Sequence, residues 1–166
     1  MNSSALTVSN NRLQKNLGSP YLKVEFGRQQ VFAALPMEFV QEVLILPMRQ
    51  LTPMPNKPAC LLGLTNRRSR VLWVVDLAHL LGLGQLPASG QQYSVVIVQV
   101  GAVPLGLAVH QVDGITWIQP GEVQATPGNL APGLLPYVTG CWVQTQELVL
   151  LLETRAIAHS PALHAE

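Results

Sequence analysis

The sequence predicts a mainly β protein built from two related halves. Short runs rich in β-branched and aromatic residues alternate with Gly, Pro and polar turn residues along most of the 166-residue chain. One pattern of apolar residues also occurs twice along the chain. Few segments have the length or the periodicity of a helix. Many short strands with few helices favour small closed or nearly closed barrels, because closure removes exposed strand edges.

The repeat keeps a constant spacing within each part. Residues 31–55 align with residues 103–127 at an offset of 72 (103 minus 31). Residues 63–77 align with residues 140–154 at an offset of 77 (140 minus 63). Shared apolar positions indicate a shared backbone plan, whereas a residue type found in only one copy is free to serve function. In the first copy that residue type is arginine, at Arg67, Arg68 and Arg70.

Turn residues bound each element of the first half. YLKVEF predicts a strand, GRQQ a turn and VFAALP a second strand, followed by the extended or briefly helical MEFVQEVLIL. Four prolines exclude a helix through residues 47–58. CLLGLT and VLWVVDL predict strands on either side of the polar turn NRRSR, and AHLLGLG predicts one short helix ended by its glycines.

The second half repeats this order after the connector LPASGQQ. YSVVIVQV, PLGLAVHQV and GITWIQP predict strands, and GEVQATPGNLAPGLLP predicts a loop. YVTGCWV and ELVLLLE predict the last hairpin, and the final TRAIAHSPALHAE predicts a short helix that frays after Pro161. The acids Asp76 and Glu153 recur at the ends of matching strands, so we expect them to begin the turn or helix that follows.

The expected organisation is one domain with two tails. Residues 1–18, rich in Asn and Ser, predict a flexible tail, and residues 159–166 a frayed one. Residues 19–158 form the domain, with a first barrel mostly from residues 21–86 and a second mostly from residues 92–157. This length can bury a core without disulfides or metals.

Composition excludes several classes of protein. Charged residues make up 11% of the chain, against roughly 25% in an average soluble protein, so apolar surface remains for partners. A net charge of +1 with no basic face predicts no nucleic-acid binding. Residues 77–112 carry no Asp, Glu, Lys or Arg, but Gly and Pro interrupt them, so no membrane insertion is expected. Without a secretory signal at its start, the chain is expected in the cytoplasm.

The sequence also lacks the residue patterns that catalysis or metal binding would need. The four histidines have no metal-ligand spacing, no serine lies in a nucleophile turn, and no Gly-rich phosphate loop follows a strand. Cys60 and Cys141 occupy unmatched positions without a CxxC pair, so we expect buried reduced thiols. The chain is therefore predicted to have no enzymatic activity, no metal and no cofactor.

Several segments in their order resemble the CheW family of chemotaxis coupling proteins. VFAALP is similar to the family's opening hairpin, and VQEV, residues 40–43, to its V-x-E-V/I element. PNKPACLLGLTNRRSRVLWVVDL is similar to its most specific stretch, which reads proline, spacer, glycine, N-x-R-G, apolar strand and D-L. GLAVHQVDGI and YVTGCWVQTQELVLLLE are similar to second-half elements, so the resemblance spans residues 21–158.

The resemblance implies a mainly β fold of two packed five-stranded SH3-like β-barrels with one or two short helices, and no catalysis. It also implies an adaptor that couples the cytoplasmic tips of chemoreceptors to the regulatory domain of a CheA-type histidine kinase. Such a protein serves chemotaxis, phototaxis or twitching motility at membrane-associated receptor arrays. We expect it to be a monomer in isolation.

Three residues depart from the family pattern. Ser69 replaces the glycine after the arginine, Arg67 replaces the usual leucine before it, and Trp73 replaces the usual proline of the following strand. Since glycine best suits a positive φ, Ser69 makes the turn more demanding. The geometry of the receptor-binding loop is therefore expected to differ from the family's.

The predicted partner-binding residues lie around this turn. Arg68 is the main candidate, beside Arg67, because arginine carries a planar fork of donors and is enriched at interface hot spots; its alternative is a solvated turn residue. Asn66 is expected to lock the turn by a backbone hydrogen bond, with partner contact as its second role. Gly63 recurs as Gly140, which makes it a backbone requirement first and a contact second.

Two further candidates lie on the extended segment after VFAALP. Val40 and Glu42 are expected to share one face and to offer an apolar and an acidic contact, with a core role for Val40 as the alternative. A different function also remains open: a free-standing regulatory β-barrel module, outside any chemosensory array, that binds a peptide along an open strand edge. That module would not use the Arg68 turn.

Overall fold

A computed structural model describes residues 18–26, 31–86 and 91–163. Within them the chain forms the strands β1 (Ser19–Phe26), β2 (Val31–Pro36), β3 (Val40–Pro47), β4 (Leu61–Arg67), β5 (Arg70–Asp76), β6 (Gln92–Val100), β7 (Val103–Val109), β8 (Gln111–Ile118), β9 (Val138–Gln144) and β10 (Glu147–Leu152). Two short helices follow matching strands, α1 (Leu77–Leu80) and α2 (Thr154–Ala158). Single 3₁₀ turns span Met37–Phe39, Met48–Gln50, Pro120–Glu122, Leu135–Tyr137 and Pro161–Leu163. The predicted mainly β class with short helices is confirmed.

The strands form two five-stranded sheets related by the sequence repeat. The first sheet has the order β8-β1-β2-β10-β9, and the second has the order β3-β6-β7-β5-β4. Replacing each strand by its counterpart, β1 by β6 through β5 by β10, converts one order into the other. The repeat seen in the sequence is therefore a repeat of structure.

The observed sheets differ from the expected division into a barrel of residues 21–86 and a barrel of residues 92–157. Each sheet takes strands from both halves: β1 and β2 join β8, β9 and β10, while β6 and β7 join β3, β4 and β5. In each sheet, one strand of the first half pairs in parallel with one strand of the second half: β2 with β10, and β5 with β7. Parallel neighbours need a long crossover connection: the chain between β2 and β10 includes β3 to β9, and the chain between β5 and β7 includes α1 and β6.

The core has a central layer and two smaller outer clusters. The central cluster contains residues of both sheets, among them Val24, Leu35, Val96 and Leu107. Each outer cluster belongs to one sheet: the first includes Trp142, Val149 and Leu151, and the second includes Leu72, Val74 and Val95. The middle strands are thus buried on both faces, which explains unbroken apolar runs such as VVIV, residues 95–98, and VLLL, residues 149–152.

Two acids and one glycine that recur in the repeat meet local backbone requirements. The Asp76 carboxylate accepts hydrogen bonds from the backbone N–H of His79 and of Leu86, and it caps α1. Glu153 caps α2, so both predicted acids begin a helix. Gly63 has φ +147°, and an added Cβ would lie 2.5 Å from the carbonyl oxygen of Thr52.

The C-terminal segment is packed as far as Leu163, although the sequence predicts fraying from residue 159 onward. The rest of the predicted frayed tail, residues 164–166, lies outside the described residues. Ser160 is 1% exposed, and its hydroxyl hydrogen-bonds the phenol of Tyr137. The 3₁₀ turn Pro161–Leu163 follows, and the Cys60 thiol lies 3.9 Å from the Ala162 carbonyl oxygen. The buried Ser160 hydroxyl, bonded to Tyr137, holds this part of the chain against the domain. The local sequence did not indicate this contact. The predicted N-terminal tail lies outside the described residues, apart from residue 18.

Candidate functional site

The arginine-rich turn joins β4 to β5 with two residues. Arg68 has φ +52° and Ser69 has φ +64°, and Arg67 pairs with Arg70 across the turn. Positive φ at both central positions matches the type I′ turn that suits the twist of a hairpin. Ser69 therefore occupies a left-handed conformation, in which glycine would be unstrained. The second copy forms the same turn at Thr145 and Gln146.

An ion-pair cluster lies where the two edges of the second sheet approach each other. Arg67 on β4 donates hydrogen bonds to the Glu42 carboxylate on β3 through Nε, at 3.4 Å, and through Nη2. The Arg68 guanidinium lies 3.7 Å from the same carboxylate. These contacts, led by the hydrogen bond from Arg67, hold the pKa of Glu42 below its usual value. Arg68 itself is 76% exposed.

The cluster borders a recess that we call the arginine groove. It has a volume of about 250 Å³ and is lined by Gln41, Glu42, Arg67, Arg68, Arg70, Leu72, Ile97 and Pro104. The last three residues supply apolar surface, and three arginines face one glutamate at the rim. An exposed ion pair contributes little to stability, so the fold does not depend on this arrangement.

The corresponding position of the first sheet is closed by a lysine. The ammonium of Lys23 lies 2.8 Å from Glu147, 3.3 Å from Asp113 and 4.4 Å from the centre of the Phe32 ring. Burial lowers the pKa of Lys23, but the hydrogen bonds from its ammonium to the two carboxylates outweigh burial and raise it.

The arginine groove therefore reflects a difference between the two sheets. Lys23 pairs with Ala34, and Ile97 pairs with Gly106, the repeat counterpart of Ala34, so Ile97 stands in the place of Lys23. The repeat offsets put the following residues in the places of Glu147, Asp113 and Phe32: Arg70, Gln41 and Pro104. Ile97 does not fill the second sheet as Lys23 fills the first, and a recess remains.

The structure separates Val40 from Glu42. A bulge at Gln41 lets Val40 pair with Val98, whereas Glu42 pairs with Ile97. Val40 packs against the central core, while Glu42 turns to the other face and meets Arg67. The expectation that both residues share one face is wrong, because a bulge changes the alternation of side chains.

The remaining predicted residues have different surroundings. Asn66 is exposed, and its side chain makes no hydrogen bond to other described residues, so the expected turn lock is not seen. Gly63 is buried against Thr52, which fits a backbone role and leaves little surface for contact. Arg70 joins Arg67 and Arg68 at the groove, as its place among the unrepeated arginines hinted. Ile97 and Pro104 reach the groove only through strand exchange between the halves.

The described part of the chain was expected to lack a metal site and a membrane-spanning helix. No group of three or more His, Cys, Asp or Glu side chains there could hold a metal ion. None of the helices in those ranges has the length and apolar character to span a membrane.

Known proteins are similar to this chain in sequence. The family model of the CheW-like domain matches residues 20–162. The chemotaxis protein CheW of Rhizobium meliloti is 34% identical over 106 residues, and a probable chemotaxis protein CheW of Rhizobium etli is 28% identical over 106 residues. Each match covers 64% of this chain and 68% of the relative.

A solved structure has a similar fold. The scaffolding protein TtCheW of Thermoanaerobacter tengcongensis superposes with a TM-score of 0.70 at 18% identity, covering 82% of this chain and 89% of that one. The family is one of non-catalytic chemotaxis scaffolds, which agrees with the prediction that this chain is not an enzyme. Because the family model covers nearly the whole described domain, the chain belongs to the CheW-like domain family.

Proposed function

We propose that this protein is an adaptor that couples chemoreceptor tips to the regulatory domain of a CheA-type histidine kinase. The observation that carries the proposal is the 76% exposed Arg68, held beside the Glu42–Arg67 ion pair at a groove whose counterpart in the first sheet is occupied by Lys23. Family membership supports the adaptor role and the choice of these partners. The protein would act in the cytoplasm, at receptor arrays on the membrane.

The groove suits a partner better than a structural role. Arg68 can present its planar donors to a partner while its stem lies on the neighbouring apolar surface. Arg67 is already paired with Glu42, and this pairing holds the carboxylate in place beside Arg68. The Glu42–Arg67 pair and the exposed guanidinium of Arg68 together form a polar rim around Leu72, Ile97 and Pro104.

The test compares three variants in a pull-down with receptor and kinase. Arg68→Ala should keep the fold and weaken partner binding by about 1–3 kcal/mol, the range of an interface hot spot. Thr145→Ala, the matching change in the second-copy turn, should do neither. Val74→Asp should unfold the domain, because Val74 is fully buried and the change buries an unpaired charge.

Two results would reject this use of the turn. If Arg68→Ala binds both partners as the unmodified protein does, the arginine is a solvated surface residue. If it unfolds, the arginine is structural. Thermal melts of all three variants distinguish these results from a genuine loss of binding.

A further inference from the structure

A second recess lies along the outer edge of β4. We call it the edge groove: it measures about 420 Å³ and is lined by Gln50, Thr52, Leu64, Thr65, Asn66 and Val71. Thr52 pairs with Leu64 through two backbone hydrogen bonds of 2.7 and 2.9 Å, which hold the 3₁₀ turn Met48–Gln50 beside the strand. Val71, 62% exposed, stands at its rim.

The second copy builds the same elements but fills the corresponding place. Gln124 pairs with Cys141 as Thr52 pairs with Leu64, after the matching 3₁₀ turn Pro120–Glu122. The offset of 77 puts Trp142 in the place of Thr65, and the offset of 72 puts Glu122 in the place of Gln50 (142 minus 65; 122 minus 50). There the indole N–H of Trp142 donates to the Glu122 carboxylate at 3.0 Å, and Trp142 is only 6% exposed.

The first copy thus keeps the backbone bridge and the 3₁₀ turn of this contact, but has no aromatic ring there. Thr65 is much smaller than tryptophan, so space remains next to Gln50. The Gln50 amide still offers a carbonyl acceptor where Glu122 offers a carboxylate. A volume of roughly 150 Å³ suffices for a benzene ring, so the recess has room for an indole.

We propose that the edge groove receives an aromatic side chain of a partner protein, preferably tryptophan, whose indole N–H donates to Gln50. The proposal rests on the proposed adaptor function, since the occupant belongs to another protein. Tryptophan suits this place because it buries a large apolar area while its N–H needs one acceptor. Aromatic anchors in such recesses carry much of the binding at interfaces.

The direct test uses N-acetyl-tryptophanamide as the probe and the full chain, followed by two-dimensional amide NMR. We expect saturable shifts confined to residues of the edge groove, with a dissociation constant in the roughly millimolar range of a small ligand in one subsite. N-acetyl-leucinamide, which has no ring and no indole N–H, should shift the same amides at least tenfold less at equal concentration.

A variant rebuilds the second-copy contact in the first copy. Thr65→Trp combined with Gln50→Glu should fill the groove, keep the melting temperature and abolish the probe shifts. Thr145→Ala, away from the groove, should bind the probe as the unmodified chain does. If the double variant does not fold, Val71→Arg tests the same point at the exposed rim, where added bulk and charge should weaken the probe shifts at least fivefold.

The outcomes decide the proposal independently of the adaptor function. Shifts that do not saturate, spread over the whole surface, or persist in the rim or filled variant overturn the aromatic site. A chain that binds the probe but neither receptor nor kinase keeps the groove and loses the proposed function. A chain that binds both partners but not the probe keeps the function and loses the groove.

Discussion

At several positions the first sheet has a larger or charged side chain where the second sheet has a smaller or uncharged one. The first sheet fills its interior with Lys23 and with the aromatic rings of Tyr21, Phe32 and Trp142. The corresponding positions of the second sheet hold smaller or uncharged side chains, and both recesses border that sheet. One backbone plan therefore supports two different packings, and the second sheet, which is less filled, keeps two recesses.

The Glu42–Arg67 pair gives a prediction about pH. Because the folded-state pKa of Glu42 lies below its ordinary value of 4.5, the pair is complete above that pH and is lost as the pH falls through the lowered value. Carbon NMR of the Glu42 carboxyl should therefore give a midpoint below 4.5. In Arg67→Ala the midpoint should move up. Equal midpoints in the two proteins would show that the pair does not form in solution.

Thr154 gives a prediction about stability. Its side chain is fully buried, and its hydroxyl has no hydrogen-bond partner among the described residues, whereas the first copy has Leu77 at this place. Thr154→Val removes the unsatisfied hydroxyl without changing shape, so the free energy of unfolding should rise by about 1 kcal/mol. Urea unfolding measures it. Thr154→Ala, which also leaves a cavity, should gain less, and a loss on Thr154→Val would reveal a hidden partner.

At the scale of elements, the close approach of a bridging segment to a strand recurs in both copies. Gly63 meets the backbone of Thr52, and a Cβ on Gly140 would lie 2.8 Å from Val123 and 3.0 Å from the carbonyl oxygen of Gln124. At both positions a side chain would collide with the neighbouring segment, so glycine is required. The edge strands β4 and β9 are covered at that point and open further along.

Gly63→Ala should separate the bridge from β4. The added methyl would lie 2.5 Å from a backbone oxygen at φ +147°, so something must shift, and we expect a loss of about 2–3 kcal/mol. Gly121→Ala is the control, because nothing lies within 4 Å of its Cβ and its φ is not positive. It should change stability by less than about 0.5 kcal/mol. Similar denaturation curves for both variants would contradict the close contact.

At the scale of the whole molecule, the exchange of strands makes the two halves depend on each other. Every sheet loses two or three strands if one half is removed, and the parallel pairs β2–β10 and β5–β7 join residues from opposite halves. The central core likewise draws on both halves. Unfolding of the described domain should therefore be one cooperative transition.

Splitting the chain tests this dependence. Fragments 1–88 and 89–166 should each be unfolded alone by circular dichroism, because each leaves central strands without neighbours. Mixed or coexpressed fragments should recover the β spectrum and one melting transition. A folded first fragment would mean that residues 21–86 form an independent unit after all.

The sequence alone determined the mainly β class, the repeat, the short capped helices and the arginine turn. These features depend on local sterics and on periodicity, which neighbouring residues carry. It also marked Gly63 and Gly140 as backbone requirements, since a glycine kept in both copies points to the shared plan.

Only the tertiary structure decided which strands pair and what surrounds the turn. The repeat identifies equivalent positions, but pairing β1 with β8 or β2 with β10 depends on contacts between residues far apart in sequence. One bulge at Gln41 sends Val40 to the core and Glu42 to Arg67, because a single inserted residue reverses the faces that follow. Strand exchange likewise brings Ile97 and Pro104 to the arginine groove, which no local pattern near Arg68 could reveal.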